Sequence, residues 1–568
     1  MRRVSTFIAM LLLAATLLSC AEKTPRIFYV KDYLTDEMLQ TDAYPAIRAA
    51  IEACVEAGGG TIVLPGGTLP VKRDFCFERY AYVSNNEHGL FRIAFDFEGI
   101  ENLTVEGNGT RLLFTGFISP FYFNNCKNVL VKDLSIDYTR PFNAQGTIIA
   151  TAKGWIEVKF PDDYIIALRN GMLTFKDEEG TIYPYKSLLE FDEKKREVAY
   201  GGRDFWNYGL RAQQCANGNY RVFVDDEVKV SVGNELVFGP THRKCCGFTL
   251  DYCEGFELRD VELNHCGGMG IIAQRSKDIA LNRFVITPTP GTNRVVSATA
   301  DATHFVNCGG YIRMTDCLFS NQMDDHTDIH GWYAMVREQT SPHSAVVWVL
   351  YGIDFATPGM KMEVVNHETM NTCGYVTVKE VKKYNNQLSE ITFEEPLPEG
   401  LQVGDGFGCA KQDPEVHIKG CRFQNNRARG LLIGTRGKTV IEDCYFHTPG
   451  SALLFEGDLM HCYEQSGVRD VSIRNNVFEN CLYGNESWGT AYINMNCAAT
   501  VRENTRYHKN VVVENNTFRT SDPRLVDIFC VDGFVFRNNK VEQTSAYPFT
   551  LTNYETFRVA DCDHVVIE

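Results

Sequence analysis

A chain of 568 residues with 12 % aromatic content is long enough for one large core with insertions, or for several domains, and too aromatic to be disordered. Its formal net charge of −16 excludes nucleic acid as the expected partner, because phosphate recognition needs a basic surface, and argues more weakly against an anionic polysaccharide.

The chain opens as a targeting segment. Met1-Arg2-Arg3 is a basic start, Phe7 to Leu18 is an apolar run too short to span a bilayer, and Leu17-Leu18-Ser19-Cys20 resembles a bacterial lipobox. The expectation is a lipoprotein signal over 1–20, lipidation at Cys20, and an exported protein held to the cell envelope or periplasmic membrane face only through that acyl anchor. Of the 20 cysteines, 19 remain after Cys20, an odd number, and none shows zinc-ligand spacing. Cys126, Cys266, Cys308, Cys317, Cys421 and Cys444 recur beside strand-like runs, which predicts small buried residues stacked in an interior rather than disulfides.

Asp42 to Ala57 reads as a helix with Ile47, Ile51 and Cys54 or Val55 on one face, Asp42 as its cap and Pro45 in its first turn. The following Gly58-Gly-Gly-Thr-Ile-Val-Leu-Pro-Gly-Gly67 leads into a strand and lacks GK[ST], so it is not a phosphate loop. A helix of this kind suits the exposed end of a solenoid, where it covers the first coil.

A degenerate repeat follows: a short alternating strand ending in Asp, Asn, Gly or Cys. It appears at Val129–Ile136, Phe256–Leu263, Ile312–Phe319, Val416–Phe423, Thr439–Phe446, Val471–Phe478 and Val511–Phe518. Equivalent corners fall 23 residues apart from Gly420 to Asp443 and from Asn515 to Asn538. A period in the low twenties, with Asn-rich corners that accept the left-handed conformation, predicts a right-handed parallel β-helix. Two segments, 141–245 and 336–411, break the period with longer alternating strands and turns and read as small inserted antiparallel β-barrels. The expected division is therefore 21–140 for the cap and first coils, 246–335 for coils carrying the acids, and 412–568 for the last coils.

The chemistry gathers in 299–333. Asp301 and Asp324 stand 23 positions apart, close to one turn of the solenoid, so stacking at about 4.8 Å per coil would bring Asp301, Asp324 and Asp325 to one sheet edge. Adjacent acids repel, and folding does not need them; like charges that close raise at least one pKa. That is the requirement of acid/base glycoside hydrolysis, with Asp324 as the acid and Asp301 and Asp325 holding water at carboxyl separations of about 6.5–9.5 Å for an inverting reaction. The rival reading is a divalent cation on the Asp and His residues of this segment. His304, His330, Arg427, Arg436, Glu456 and Glu464 are candidate sugar-binding groups, and Asp204-Phe-Trp-Asn-Tyr208 offers an aromatic surface.

Thr299-Ala-Asp-Ala-Thr-His-Phe305, Asn321-Gln-Met-Asp-Asp325, Ile329-His-Gly331, Arg429-Gly-Leu-Leu-Ile-Gly-Thr-Arg-Gly437 and Val468–Phe478 together resemble glycoside hydrolase family 110. The resemblance implies a β-helix with two β-barrel insertions, an inverting exo-α-1,3-galactosidase acting on terminal galactose of linear or blood-group-B-type glycans, acids at Asp301, Asp324 and Asp325, and no cofactor. The acid pair also resembles that of polygalacturonases. A polygalacturonase-like hydrolase, a polysaccharide lyase and a non-catalytic glycan-binding β-helix are the alternatives; the oligomeric state is left open.

Overall fold

Alternating apolar residues can bury one face of a strand only if something covers it, and here the facing sheet does so across the interior, as where Phe248 meets Phe284 and Phe536 meets Phe557, while the coils above and below pair the strand's edges. The computed structural model describes residues 26–351, 355–411 and 413–568; the signal segment and Cys20 lie outside them. One row of register partners runs the length of the solenoid in parallel pairing: Val129, Phe256, Ile279, Ile312, Val416, Thr439, Val471, Val511, Phe534 and Val565. The repeat motif is thus one strand of each coil. A second parallel sheet stacks Phe248, Ile271, Thr303, Thr327, Leu431, Leu453, Ile493, Val526 and Phe557.

The interior is built from like residues in like places. Phe423, Phe446, Phe478 and Phe518 stack with centroids 4.8–5.1 Å apart, an arrangement that adds roughly 0.5–1.5 kcal/mol per pair beyond burial. At the corners, Asp316, Asp443, Asn475, Asn515 and Asn538 all have φ of 53–58°, the left-handed region that Asn and Asp tolerate best. The residue after each corner forms a ladder: Asn476 Nδ2 donates to Asn516 Oδ1, and Asn516 Nδ2 to Asn539 Oδ1, each at 3.0 Å. On earlier coils the same rung is Cys317, Cys421 and Cys444, each buried. All 19 cysteines among the described residues are free thiols; of the repeated ones Cys317, Cys421 and Cys444 are rungs of this ladder, and Cys126, Cys266 and Cys308 are buried elsewhere on the coils.

The helix spans Tyr44–Glu56, buries Ala46, Ile47, Ala50, Ile51 and Cys54, and leaves Val55 exposed. Asp42 lies outside the first turn, where its Oδ1 accepts from the backbone N–H of Tyr44 at 3.1 Å and of Lys72 at 3.0 Å. Among the described residues no helix is long and apolar enough to cross a membrane.

Both period-breaking segments are antiparallel. The first holds a seven-stranded sheet running from Ala144–Ala152 to Glu235–Pro240, faced by a three-stranded one, around Phe160, Phe175, Tyr185 and Phe238. The second closes into a six-stranded ring through Ser344–Trp348, Leu388–Phe393, Thr372–Lys383, Lys361–Val365 and Gly406–Cys409. Its sixth strand is Thr327–Ser341, which begins as a solenoid strand paired with Thr303–Val306 and continues from Tyr333 into the barrel.

Candidate active site

The acids sit where the second sheet begins. Asp301 precedes Thr303–Val306, Asp324 and Asp325 precede Thr327–Ser341, and Arg427 and Arg429 precede Leu431–Ile433. Thr303 pairs with Thr327 and Thr327 with Leu431. Continued back two residues, this register stacks Asp301 on Asp325 and places Arg429 on the next coil. The expected stacking of Asp301 on Asp324 is therefore off by one, because this coil steps from Thr303 to Thr327 and so is one residue longer than the interval from Asp301 to Asp324. Asn426 fixes the turn, with Nδ2 donating to the Asp324 carbonyl at 3.0 Å.

One oxygen from each of Asp301, Asp324 and Asp325 lies within 4.8 Å of the other two, and all three side chains are buried. This is closer than the 6.5–9.5 Å expected for an acid and base flanking a water. The three are not equivalent. Asp324 Oδ2 meets Arg243 and Oδ1 meets Arg427, each at 2.5 Å, and Arg427 also pairs with Asp204 at 2.6 Å. Burial alone would raise Asp324, but Arg427, Arg243 and Arg429 together outweigh it and hold the carboxyl below its usual range. Asp325 accepts from the backbone N–H of Arg429 at 2.8 Å and from its guanidinium at 2.9 and 3.1 Å. Burial first, then Asp324 and Asp301, still push Asp325 up to about 7. Burial and the neighbouring Asp324 carboxylate bring Asp301 to about 7 as well. Two guanidinium groups favour the ionised form of Asp324, which runs against the acid role expected of it, whereas Asp301 and Asp325 are both raised toward neutrality.

His304 and His330 join the cluster. His304 Nδ1 lies 2.7 Å from Asp301 Oδ2, its Nε2 lies 3.0 Å from His330 Nε2, and His330 Nδ1 lies 2.8 Å from the Gly331 carbonyl. Asp328, the register partner of His304, is buried 3.8 Å from that ring and is pushed well above the carboxylate range by burial and by Glu464. Glu464 stands 3.9 Å from His330. A groove of about 720 Å³ opens from here, lined by Asp328, Arg429, Glu456, Asp458, Glu464 and Arg502.

Of the expected sugar-binding residues, His304, His330, Arg427, Glu456 and Glu464 gather around the acids or this groove. Arg436 does not. Its guanidinium is bound to Glu363 of the closed barrel at 2.7 Å and to the Ser466 carbonyl at 3.2 Å, because a fully buried Glu363 needs a cation. Arg243, Asp204, Arg429 and Asp328 complete the site. Arg429 stands two residues from Arg427 on the same strand approach and had a local signal; Asp204 lies in the Asp204–Tyr208 stretch picked out for its rings rather than its carboxylate, and Arg243, at the end of the first insertion, has no motif to mark it. Asp204 brings with it the exposed ring of Trp206, over which Lys186 lies at 5.6 Å.

Two groupings have donor atoms spaced closely enough for a cation, His304–Asp328–His330 and Asp301–Asp324–Asp325. In the first, all four imidazole nitrogens are engaged in the contacts above. In the second, three guanidinium groups already supply the positive charge.

Family models match both insertions: residues 144–236 match the GLAA-B beta-barrel domain I and residues 350–406 the GLAA-B beta-barrel domain II. The chain is 32 % identical over 516 residues to alpha-1,3-galactosidase A of Shewanella woodyi, covering 89 % of this chain and 84 % of that protein. It is 28 % identical over 572 residues to alpha-1,3-galactosidase B of Bacteroides thetaiotaomicron, covering 98 % and 92 %. Among solved structures, an endo-xylogalacturonan hydrolase from Aspergillus tubingensis aligns with a TM-score of 0.41 at 10 % identity, covering 96 % of this chain and 100 % of that one.

Proposed function

The chain belongs to the α-1,3-galactosidase family, glycoside hydrolase family 110, and from that premise we propose that it releases non-reducing terminal α-1,3-linked galactose from linear or blood-group-B-type glycans, with inversion. The observation that carries the mechanism is the unequal partnering of one carboxyl cluster: Asp324 lies between Arg243 and Arg427, Asp325 on Arg429 and Asp301 on the His304 ring, which lowers the first and leaves burial to raise the other two. Neighbouring acids whose environments push them apart are the mark of acid/base work.

The roles follow from the partners. Asp324, held between two arginines, is suited to stay ionised, and Asp325, raised toward neutrality but bound to Arg429, is suited to act beside it as the base that holds the attacking water. Asp301, whose one contacted oxygen faces a neutral ring, is suited to carry the proton for the leaving oxygen. A water accepted between two carboxylates at ordinary hydrogen-bond length and tetrahedral angle needs oxygens about 4.5 Å apart, which the cluster's spacing admits. The same closeness supports a second reading, retention through a covalent galactosyl intermediate, for which carboxyl groups stand about 5–5.5 Å apart.

The test is digestion of α-1,3-galactosyl oligosaccharides with and without a fucosyl branch, followed by proton NMR of the anomer first formed. β-Galactose appearing first, unaffected by EDTA, is the expected result; α-galactose first would establish retention. Calcium-dependent unsaturated products would overturn hydrolysis, and binding without release would overturn catalysis. The branch comparison defines the substrate.

We further propose export and lipid tethering through Cys20, supported by the basic start, short apolar run and Leu-Leu-Ser-Cys sequence. Cells fed an alkyne fatty acid should label the full-length protein and leave Cys20→Ala unlabelled; no label on the parent protein would sink the anchor.

A further inference from the structure

A carbonyl oxygen only accepts hydrogen bonds, so His330 Nδ1, 2.8 Å from the Gly331 carbonyl, carries a hydrogen. If the His330 ring is neutral, its Nε2 is bare and His304 Nε2, 3.0 Å away, must donate to it. If His304 is then neutral too, its Nδ1 is bare, and Asp301 Oδ2 at 2.7 Å must donate in turn. The alternatives put a charge on one of the rings and leave Asp301 ionised. Every arrangement that satisfies all three contacts therefore holds one proton more than a carboxylate beside two neutral rings. Losing that proton forces two lone pairs to face each other in a buried site.

We propose that His330 is a positioning residue which, anchored on the Gly331 carbonyl and acting through His304, locks one proton into the Asp301 side of the catalytic cluster. Burial depresses His304 to about 4 and also lowers His330, while Asp301 is raised, so the locked proton resides on the carboxyl. The charged groups facing this chain are Asp324, Asp325, Asp328 and Glu464 on the negative side and Arg243 and Arg429 on the positive side. All of them stay in place when His330 alone is changed. The inference deepens the reading of Asp301 as a catalytic carboxyl and rests on it.

The experiment compares the pH dependence of kcat/KM for the full-length enzyme, His330→Leu and His330→Gln. Leucine removes the acceptor, so His304 can turn its hydrogen toward an ionised Asp301 at no cost, and the proton is lost more easily. The alkaline limb should move to lower pH by about half a unit or more in His330→Leu. Glutamine can turn either its oxygen or its NH2 toward His304 Nε2, so it fills the site without locking the proton and should move the limb in the same direction as leucine. No shift in either variant, or a shift to higher pH, would overturn the relay. Movement of the acid limb in place of the alkaline one would keep the relay and make Asp301 a base; undiminished turnover in Asp301→Asn would overturn the premise and leave the relay without a catalytic role. Should His330→Leu fail to fold, nitrogen NMR of histidine-labelled parent protein decides the matter. It should show one ring protonated at Nε2 and contacting one protonated at Nδ1, and the opposite tautomers would sink the proposal.

Discussion

Asp301→Asn is expected to lower turnover of an unactivated α-1,3-galactoside by about 10²–10⁴-fold, the usual worth of a general acid or base, with the fold retained. The exchange keeps shape and the contact to His304 while removing the transferable proton. The same variant should recover much of its rate on an aryl galactoside with a good leaving group, because such a substrate departs without protonation. Asp324→Asn should be impaired on both substrates. It leaves Arg243 and Arg427 facing a neutral amide where they now each meet a carboxylate oxygen at 2.5 Å, and it removes charge that helps hold the water. The reverse pattern, rescue of Asp324→Asn alone, would return the acid role to Asp324 and show that substrate entry rearranges the arginines around it.

Arg436→Met is expected to cost stability rather than affinity. Glu363 is fully buried, and Arg436 at 2.7 Å is the cation that compensates it, with Gln465 adding a bond at 3.3 Å. Removing one member of a buried pair leaves an uncompensated charge and typically costs about 3–5 kcal/mol. Denaturant melts of Arg436→Met should show a loss of that order while KM stays within about twofold of the parent enzyme. Adding Glu363→Leu should recover most of the loss, since the double replacement leaves no orphan charge. A large rise in KM with unchanged stability would restore Arg436 to the substrate site.

These two residues also mark what can be read from sequence in such a fold. Asp301, Asp324 and Asp325 were visible because a solenoid turns sequence period into spatial stacking, and because paired acids have no structural motive. The same rule then misplaced the stacking, since one coil carries an extra residue and a slip of one changes which acid lies over which. Arg427 and Arg436 look alike in sequence, nine positions apart on one coil with a Gly-rich strand between them. What separates them is the partner each meets, Asp324 for one and Glu363 for the other, and both partners are remote in the chain. Arg243 and Asp204 are the same lesson from the other side. They reach the cluster from the first insertion, where the alternation of apolar residues reports a sheet but says nothing of which loop faces the acids. The cysteines were legible for the opposite reason: a rung repeated on successive coils is a periodic signal.

The two insertions differ in how they are joined to the solenoid, and this sets what can be exchanged. The first lies between Val129 and Phe256, which are adjacent partners in one uninterrupted row, so the coils meet as though nothing had been inserted there. A lineage, or an engineer, can exchange that module without disturbing the coils, provided the replacement again supplies Arg243 to Asp324 and Asp204 to Arg427. Across the second, Ile312 and Val416 are likewise adjacent partners, but the module is not separable from the site. Its strand Thr327–Ser341 starts at the acid pair and ends in the barrel wall, so the module and the chemistry share one piece of backbone and are inherited together.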